Sequence, residues 1–332
     1  MEVLWEKTEN GMKVHRVFGE QMFLKLPESI EGFPVTEIGP YCFSSSEKYS
    51  LKEGILTSLE EKEEVGISER RILEAKLPEI AGKYLEGAIL PDSVVKLSNG
   101  AFYNCRNIKS LSIGTKLHNL GNDVFTNCGK LSSIIIRGNV EEKTVLPLIL
   151  ERMQTELEVF FQPNENEIEC RLFFPEIYEE FDEMVTAHVF NRMIVGEGFR
   201  MRQCFHDHRI HFAKYDQCFA GSLKLEGNRE ICCIAMNRLR WPLDLKEEYE
   251  SIYRKAIEER FDYMIKMIIG KRDLEELKFL CKYFKPKEEI LANWMESCIN
   301  ADWTEGNVFL MGEKYKGESF ASKTFDFDDL DF

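Results

Sequence analysis

Between Met201 and Phe212 the chain reads MRQCFHDHRIHF, which gathers four side chains able to ligate a metal ion: Cys204, His206, His208 and His211. A thiolate with neutral imidazoles is the donor set that Zn2+ favours. On a strand, alternation sets Cys204, His206 and His208 on one face; on a helix, Cys204, His208 and His211 share one instead. Cys218, or Cys232 with Cys233, could supply a fourth donor. No established ligand spacing is matched, however, and a polar hairpin or loop accounts for the same histidines. The expectation is a solvated segment with no bound metal or cofactor. A metal-binding protein or an enzyme sited in residues 196–240 is the rival reading.

Other chemistries find less support. Gly196–Arg202 (GEGFRMR) offers two glycines and two arginines to an anion, and a loop before a strand explains them as well. Neither GxSxG nor a GxGxxG or GxxxxGKS/T phosphate loop occurs. No Cys–His pair is placed together by the sequence, and acids such as Glu179–Glu180 read as a solvated helix face. The chain is expected not to be an enzyme.

The elements that must carry these residues follow from the totals. A chain of 332 residues is long enough for two domains with sizeable cores. Its 43 basic and 58 acidic residues leave a net charge of −15, which repels nucleic acid and anionic membrane. No apolar run approaches the roughly 18–20 residues of a membrane span. The opening MEVLWEKTENGMKVHRVF lacks a basic stretch followed by an apolar one, so the expected location is the bacterial cytoplasm. Export is the alternative, should a leader precede it. The ten cysteines are scattered without a CxxC, as expected of structural thiols kept reduced.

One stretch repeats itself. Phe102–Cys105 (FYNC) returns as Phe125–Cys128 (FTNC), an offset of 23 residues that also carries Leu97 onto Leu120 and Leu111 onto Ile134. Leu85, Ala88 and Leu90 fall on the same rungs. Residues 26–47 form a looser copy, with Ile38 to Phe43 spaced as Leu97 to Phe102. A fixed period of this kind marks a solenoid, whose units bury their apolar face only by stacking. Each turn reads as a short strand, a glycine turn, a second apolar segment, and a bend at Asn–Cys where the Asn amide caps the backbone. The repeat accounts for Cys105 and Cys128, so neither is read as a nucleophile.

LPDSVVKLSNGAFYNCRNIKSLSI and FPVTEIGPYCF resemble the bacterial leucine-rich repeats of the BspA-like class, roughly IPxxVxxIGxxAFxxCxxLxxI, over residues 85–137 and 24–46. The resemblance implies a curved β-solenoid and protein recognition; an exported surface adhesin is the alternative function. The fold class expected is α+β: a short leucine-rich-repeat β-solenoid with an inserted helical segment, then a mainly helical domain. The first domain covers 1–156, with repeats at about 24–46, 85–107 and 108–130, a closing strand at 131–137 and a helical insert at 48–77. The second covers 157–316. Within it residues 157–174 suggest two strands around a polar turn at Pro163–Glu167, residues 177–193 read as helical, and helices dominate from Asn228. Residues 246–316 faintly resemble ankyrin-type helical repeats, which implies stacked helix hairpins.

Alternation along the repeat strands sends two ladders to the outer face: Gly87, Ser110 and Ser133, and beside them Ile89, Ser112 and Ile135, with Arg137 at the end. A protein partner is expected on this strip, unless the insert or the C-terminal part covers it. The acidic-aromatic tail, residues 317–332, is either flexible or a docking segment anchored by Phe325, Phe327, Leu330 and Phe332.

Overall fold

Alternating apolar residues open the chain, and they build a hairpin that the 23-residue repeat does not announce. The computed structural model describes residues 1–45, 54–58, 64–67, 77–184 and 189–315. Strands β1 (Glu2–Thr8) and β2 (Gly11–Phe18) pair antiparallel, and Val3, Leu4, Trp5, Met12, Val14 and Val17 are buried. Gly11 takes φ 145°, and a Cβ there would meet the Pro34 carbonyl at 2.5 Å, so only glycine fits. After β3 (Phe23–Lys25) and β4 (Ser29–Ile30), β5 (Phe33–Ile38) lies parallel to β2. From there the parallel stack continues.

The insert departs from expectation. Where residues 48–77 are described they form not a helix but an antiparallel hairpin of β6 (Gly54–Ser58) and β7 (Glu64–Ile67), with β6 paired to β1. The outer edge of β1 would otherwise be left without main-chain partners, and that need outweighs the helical spacing of the charges. The rest of the insert lies outside the described residues.

Each later turn contributes one strand to each of two sheets. Strands β8 (Gly87–Ile89), β10 (Ser110–Gly114), β12 (Ser133–Arg137) and β13 (Leu157–Phe161) join β3 in one parallel ladder, closed by the antiparallel β14 (Cys170–Phe174). Strands β9 (Lys96–Leu97) and β11 (Asn119–Leu120) extend the other sheet beyond β5. The solenoid has about five turns. Residues 131–137 are therefore not its last strand, and a boundary at residue 157 would cut through the sheet. The two strands expected around the Pro163–Glu167 turn are β13 and β14.

Three features lock the turns together. Main-chain hydrogen bonds run from turn to turn outside the strands, as in Phe43 N to Ala101 O (2.9 Å), Phe102 N to Val124 O (3.1 Å) and Asn104 N to Thr126 O (2.9 Å). The repeat phenylalanines form one row, Phe43 stacking on Phe102 at 4.8 Å and Phe102 on Phe125 at 6.0 Å. Asn104 and Asn127 sit at φ 61° and 63°, a left-handed bend that asparagine tolerates. Their amides bond each other, Asn127 Nδ2 to Asn104 Oδ1 at 2.6 Å. The repeat Asn thus serves the bend and a ladder between turns.

The end of the stack is closed within the same compact unit, Met1–Arg254. Helix α1 (Leu146–Arg152) buries Leu146, Ile149 and Leu150. Where residues 177–193, read from sequence as helical, are described, they instead lie in a hairpin of β15 (Tyr178–Met184) and β16 (Val189–Val195). Their β-branched and aromatic content favours the strand over the helix. After the short α2 (Gly198–Met201) come a two-residue-strand hairpin, β17 (Phe205–His206) with β18 (Arg209–Ile210), then α3 (Phe212–Leu225) and α4 (Asn228–Arg240). The Tyr215 hydroxyl of α3 accepts from Phe173 N (3.1 Å) and donates to Phe173 O (2.6 Å), satisfying main-chain groups of the last strand. Burial pushes the phenol pKa well up, so the hydroxyl stays protonated and can donate. Below it the Arg238 guanidinium meets both Asp216 carboxylate oxygens at 2.8 and 3.0 Å, and Tyr253 donates to Asp216 at 2.8 Å. All three side chains are essentially inaccessible.

Helix α5 (Glu247–Glu258) crosses into the second unit, Lys255–Phe332. There α6 (Phe261–Lys271), α7 (Leu274–Phe284), α8 (Glu288–Asn300) and α9 (Thr304–Tyr315) form two short-linked pairs. Asp273 accepts from Glu276 N at 2.9 Å and caps α7 as its position suggests. Phe261 sets its ring edge-on to Phe284 and Trp294, with Met264, Ile268, Leu280 and Leu310 buried around the same helices.

Phe102, with a ring on each side, is expected to lose about 3–5 kcal/mol of stability as Phe102→Ala. Phe125→Ala, at the end of the row, should lose less. Urea unfolding of the two variants measures the order, and equal losses would deny the row its role. Asp216→Ala strands a buried guanidinium and should cost about 3–5 kcal/mol. A loss no larger than that of a surface variant in the same titration would mean that the pair is not a keystone of the cap.

Candidate functional site

The outer face of the parallel sheet is built by strict register. One row runs Phe23, Gly87, Ser110, Ser133, Glu158 and Phe173; the next runs Lys25, Ile89, Ser112, Ile135, Phe160 and Arg171. Between them the opposite-facing Leu24, Ala88, Leu111, Ile134, Val159 and Leu172 are buried. The structure therefore brings Ile89, Ser110, Ser112, Ser133 and Ile135 onto one surface.

That surface is open at one end and covered at the other. Phe23 is 63% exposed and Ile89 41%, whereas Phe173 is only 3% exposed. Helix α4 lies over the last strands: Arg229 stacks on Phe173 at 5.6 Å, Asn237 reaches Glu158 at 3.4 Å, and Arg171 sits between the Phe160 and Trp241 rings. The C-terminal segment thus covers the strip only over β13 and β14. What remains is a groove of about 880 Å3, with Phe23, Ile89, Ile135 and Arg137 along it and Pro163–Glu165 at its rim.

Two details shape the groove. A Cβ on Gly87 would meet the Phe23 ring at 2.7 Å and Ser110 Oγ at 2.9 Å, so the missing side chain is what lets Phe23 lie across the strands. Arg137 is spent inside the protein: it donates to Asp92 Oδ1 (2.8 Å), to Ser112 Oγ (2.6 Å) and to the Leu90 carbonyl. Its fork ties three turns together, which leaves Ser112 only 6% exposed and makes both residues wall rather than open contact surface. Phe23, Lys25 and the 163–165 turn escaped the sequence reading. The signal was there, because aligning Leu26–Pro27 with Leu90–Pro91 sets Phe23 beside Gly87.

The histidine cluster does not assemble. Asp207 and His208, at φ 48° and 62°, form the two-residue turn of the β17–β18 hairpin, the turn geometry such hairpins prefer. His206, His208 and His211 are exposed while Cys204 is buried, and His211 Nδ1 accepts from Lys214 N (3.3 Å) as the N-cap of α3. Among the described residues no group of three or more His, Cys, Asp or Glu side chains is placed to hold a metal ion. The hairpin is tied down by Lys143, whose ammonium donates to Asp207 at 2.8 Å and holds that carboxyl below its usual range. The repeat thiols are chemically quiet. Burial pushes Cys42 and Cys128 up to about 12 and Cys105 higher, and the latter two donate to main-chain carbonyls of the preceding turn. Phe325, Phe327, Leu330 and Phe332 lie outside the described residues.

Residues 81–149 match the family model described as BspA type leucine rich repeat region (6 copies). No curated protein matches the chain. Among solved structures, a leucine rich cell surface protein from Faecalibacterium prausnitzii A2-165 is 16% identical, covering 41% of this chain and 31% of its own, with a TM-score of 0.26. A leucine-rich repeat protein of T. pallidum is 14% identical, covering 40% and 67%, with a TM-score of 0.21. The chain spans less than a third of the first of these proteins. Its repeat segment is similar to the BspA type of leucine-rich repeat, on a solenoid followed by helices.

Proposed function

We propose that the chain is a non-catalytic recognition protein that takes a protein partner in the groove between Phe23 and Ile135. One observation carries this reading: an ordered sheet surface leaves Phe23 and Ile89 exposed to water on the walls of one groove. Exposed apolar side chains on a rigid, satisfied backbone suit insertion of a partner's side chains. The rows repeat at the spacing of neighbouring strands, so an extended segment laid across them would set alternate side chains into successive turns. Lys25 on one side and Glu165 on the other give it polar ends to meet.

The net charge of −15 favours a protein over nucleic acid or an anionic membrane. Among the described residues no helix is long and apolar enough to cross a membrane. Ten cysteines without a framework spacing favour a reducing bacterial cytoplasm as the setting. The helical unit, with Ile299, Val308 and Met311 exposed, would offer a second interaction surface of the stacked-hairpin, ankyrin-like kind.

The partner is obtained by affinity capture with the full chain, and its binding is then measured on purified proteins. Ile89→Lys with Ile135→Lys should weaken binding at least about tenfold, a little over 1 kcal/mol, with unchanged circular dichroism. Should that pair unfold the protein, Phe23→Ser provides the same test at a freely exposed site. Undiminished binding in a folded variant would move the site elsewhere. Arg137→Ala removes charged hydrogen bonds to two neighbouring turns and should cost about 1.5–3 kcal/mol in urea unfolding; no loss would mean that the groove wall stands without it.

A further inference from the structure

The thiols of Cys204 and Cys218 approach each other, with Sγ to Sγ at 3.7 Å. Cys204 follows α2, and Cys218 sits on the second turn of α3. A disulfide needs about 2.04 Å between sulfurs, so side-chain rotation with a small backbone adjustment would close the gap. The pair also differs from the other cysteines in access. Cys218 is half-buried where the other nine are buried, and it lines an open depression of about 440 Å3 together with Cys204, Glu197, Arg200, Lys214 and Gly221. That space admits a small oxidant.

The two sulfurs are not equivalent. Either sulfur can donate across this contact; with Cys204 as the donor, the Cys218 thiol is held below its ordinary pKa while Cys204 is raised. Arg200 beside the depression acts in the same direction on Cys218, against Glu197. A half-exposed sulfur with thiolate character beside a protonated, buried one is the arrangement of an attacking and a resolving cysteine. Neither the groove nor the proposed recognition uses either of them.

We propose that Cys204 and Cys218 are a modification site at which a hydroperoxide forms a reversible disulfide. The Cys218 thiolate attacks one peroxide oxygen, the O–O bond breaks, and hydroxide (or alkoxide) leaves, giving a sulfenic acid. Cys204 then loses its proton and attacks the Cys218 sulfur, forming the S–S bond and expelling hydroxide, which takes up the proton as water. Two thiols are oxidised and one peroxide is reduced to two waters when the oxidant is hydrogen peroxide. A thiol reductant reverses the step by exchange. The closed loop encloses the β17–β18 hairpin and the start of α3, so the oxidised form ties together the helix whose Tyr215 caps the last strand.

The test uses the full chain, reduced and then treated with a few equivalents of hydrogen peroxide, alkylated and digested with trypsin. The expected product is the cross-linked pair of the Gln203–Arg209 and Tyr215–Lys224 peptides, two hydrogens lighter than their sum and abolished by a thiol reductant. Cys204→Ser should instead leave Cys218 as a sulfenic acid trapped by dimedone, and Cys218→Ser should leave Cys204 a thiol. Oxidation that leaves both cysteines alkylated, or that joins either to Cys232 or Cys233, overturns the proposal; the wild-type digest decides this without either variant.

Discussion

Everything in the solenoid depends on one constraint: successive turns are held at a single offset by main-chain hydrogen bonds, both in the strands and at the bends between them. The bond from Phe102 N to Val124 O and the pairing of Ser110 with Ser133 express the same register. Once it is set, like residues must meet like. Phenylalanine rings stack inside, asparagine amides join at the bends, and cysteine thiols donate to the carbonyl of the turn before. A slip of one residue would exchange the buried and outward rows wholesale, because side chains alternate. The outer groove is thus a consequence of the core's register and carries little freedom of its own.

A stack has two ends, and each exposes strand edges and apolar surface that must be covered. At the start, the Glu2–Phe18 hairpin adds antiparallel strands to one sheet, and the insert hairpin adds two more. At the finish, α3 and α4 lie against β14, with the Tyr215 hydroxyl on its main chain and the Asp216–Arg238 pair buried beneath. A buried ion pair is costly to desolvate and is retained only where its geometry is well satisfied. Here both carboxylate oxygens and the guanidinium have close partners. These helices stop over the last two strands of the groove face, which leaves Phe23 and Ile89 outside their reach.

The sequence was legible where a residue type is repeated under one physical demand. Leu111 and Ile134, or Phe102 and Phe125, announce the stack because each turn must fill the same space. The outward ladders followed from alternation alone. Illegible were the places where main-chain need overrides side-chain pattern. The described parts of 177–193 and of 48–77 carry helix-like spacing yet pair as hairpins, the latter against a free edge that only the assembled fold reveals. Arg137 looked exposed at the end of a ladder, yet in the folded chain its fork turns inward to Asp92, Ser112 and Leu90. The histidines were a different case, read as a solvated segment and found exposed. They fall on three different features, a strand, a two-residue turn and a helix cap, and all three are exposed.

Hydroxyl-radical footprinting of the chain, alone and saturated with its captured partner, tests the recognition surface at the level of single side chains. Oxidation of Phe23 and Ile89 is expected to fall severalfold on binding while Ile299 and Val308 of the helical unit react as before. Unchanged labelling of Phe23 and Ile89, with protection confined to Ile299 and Val308, would contradict it and transfer recognition to the helices.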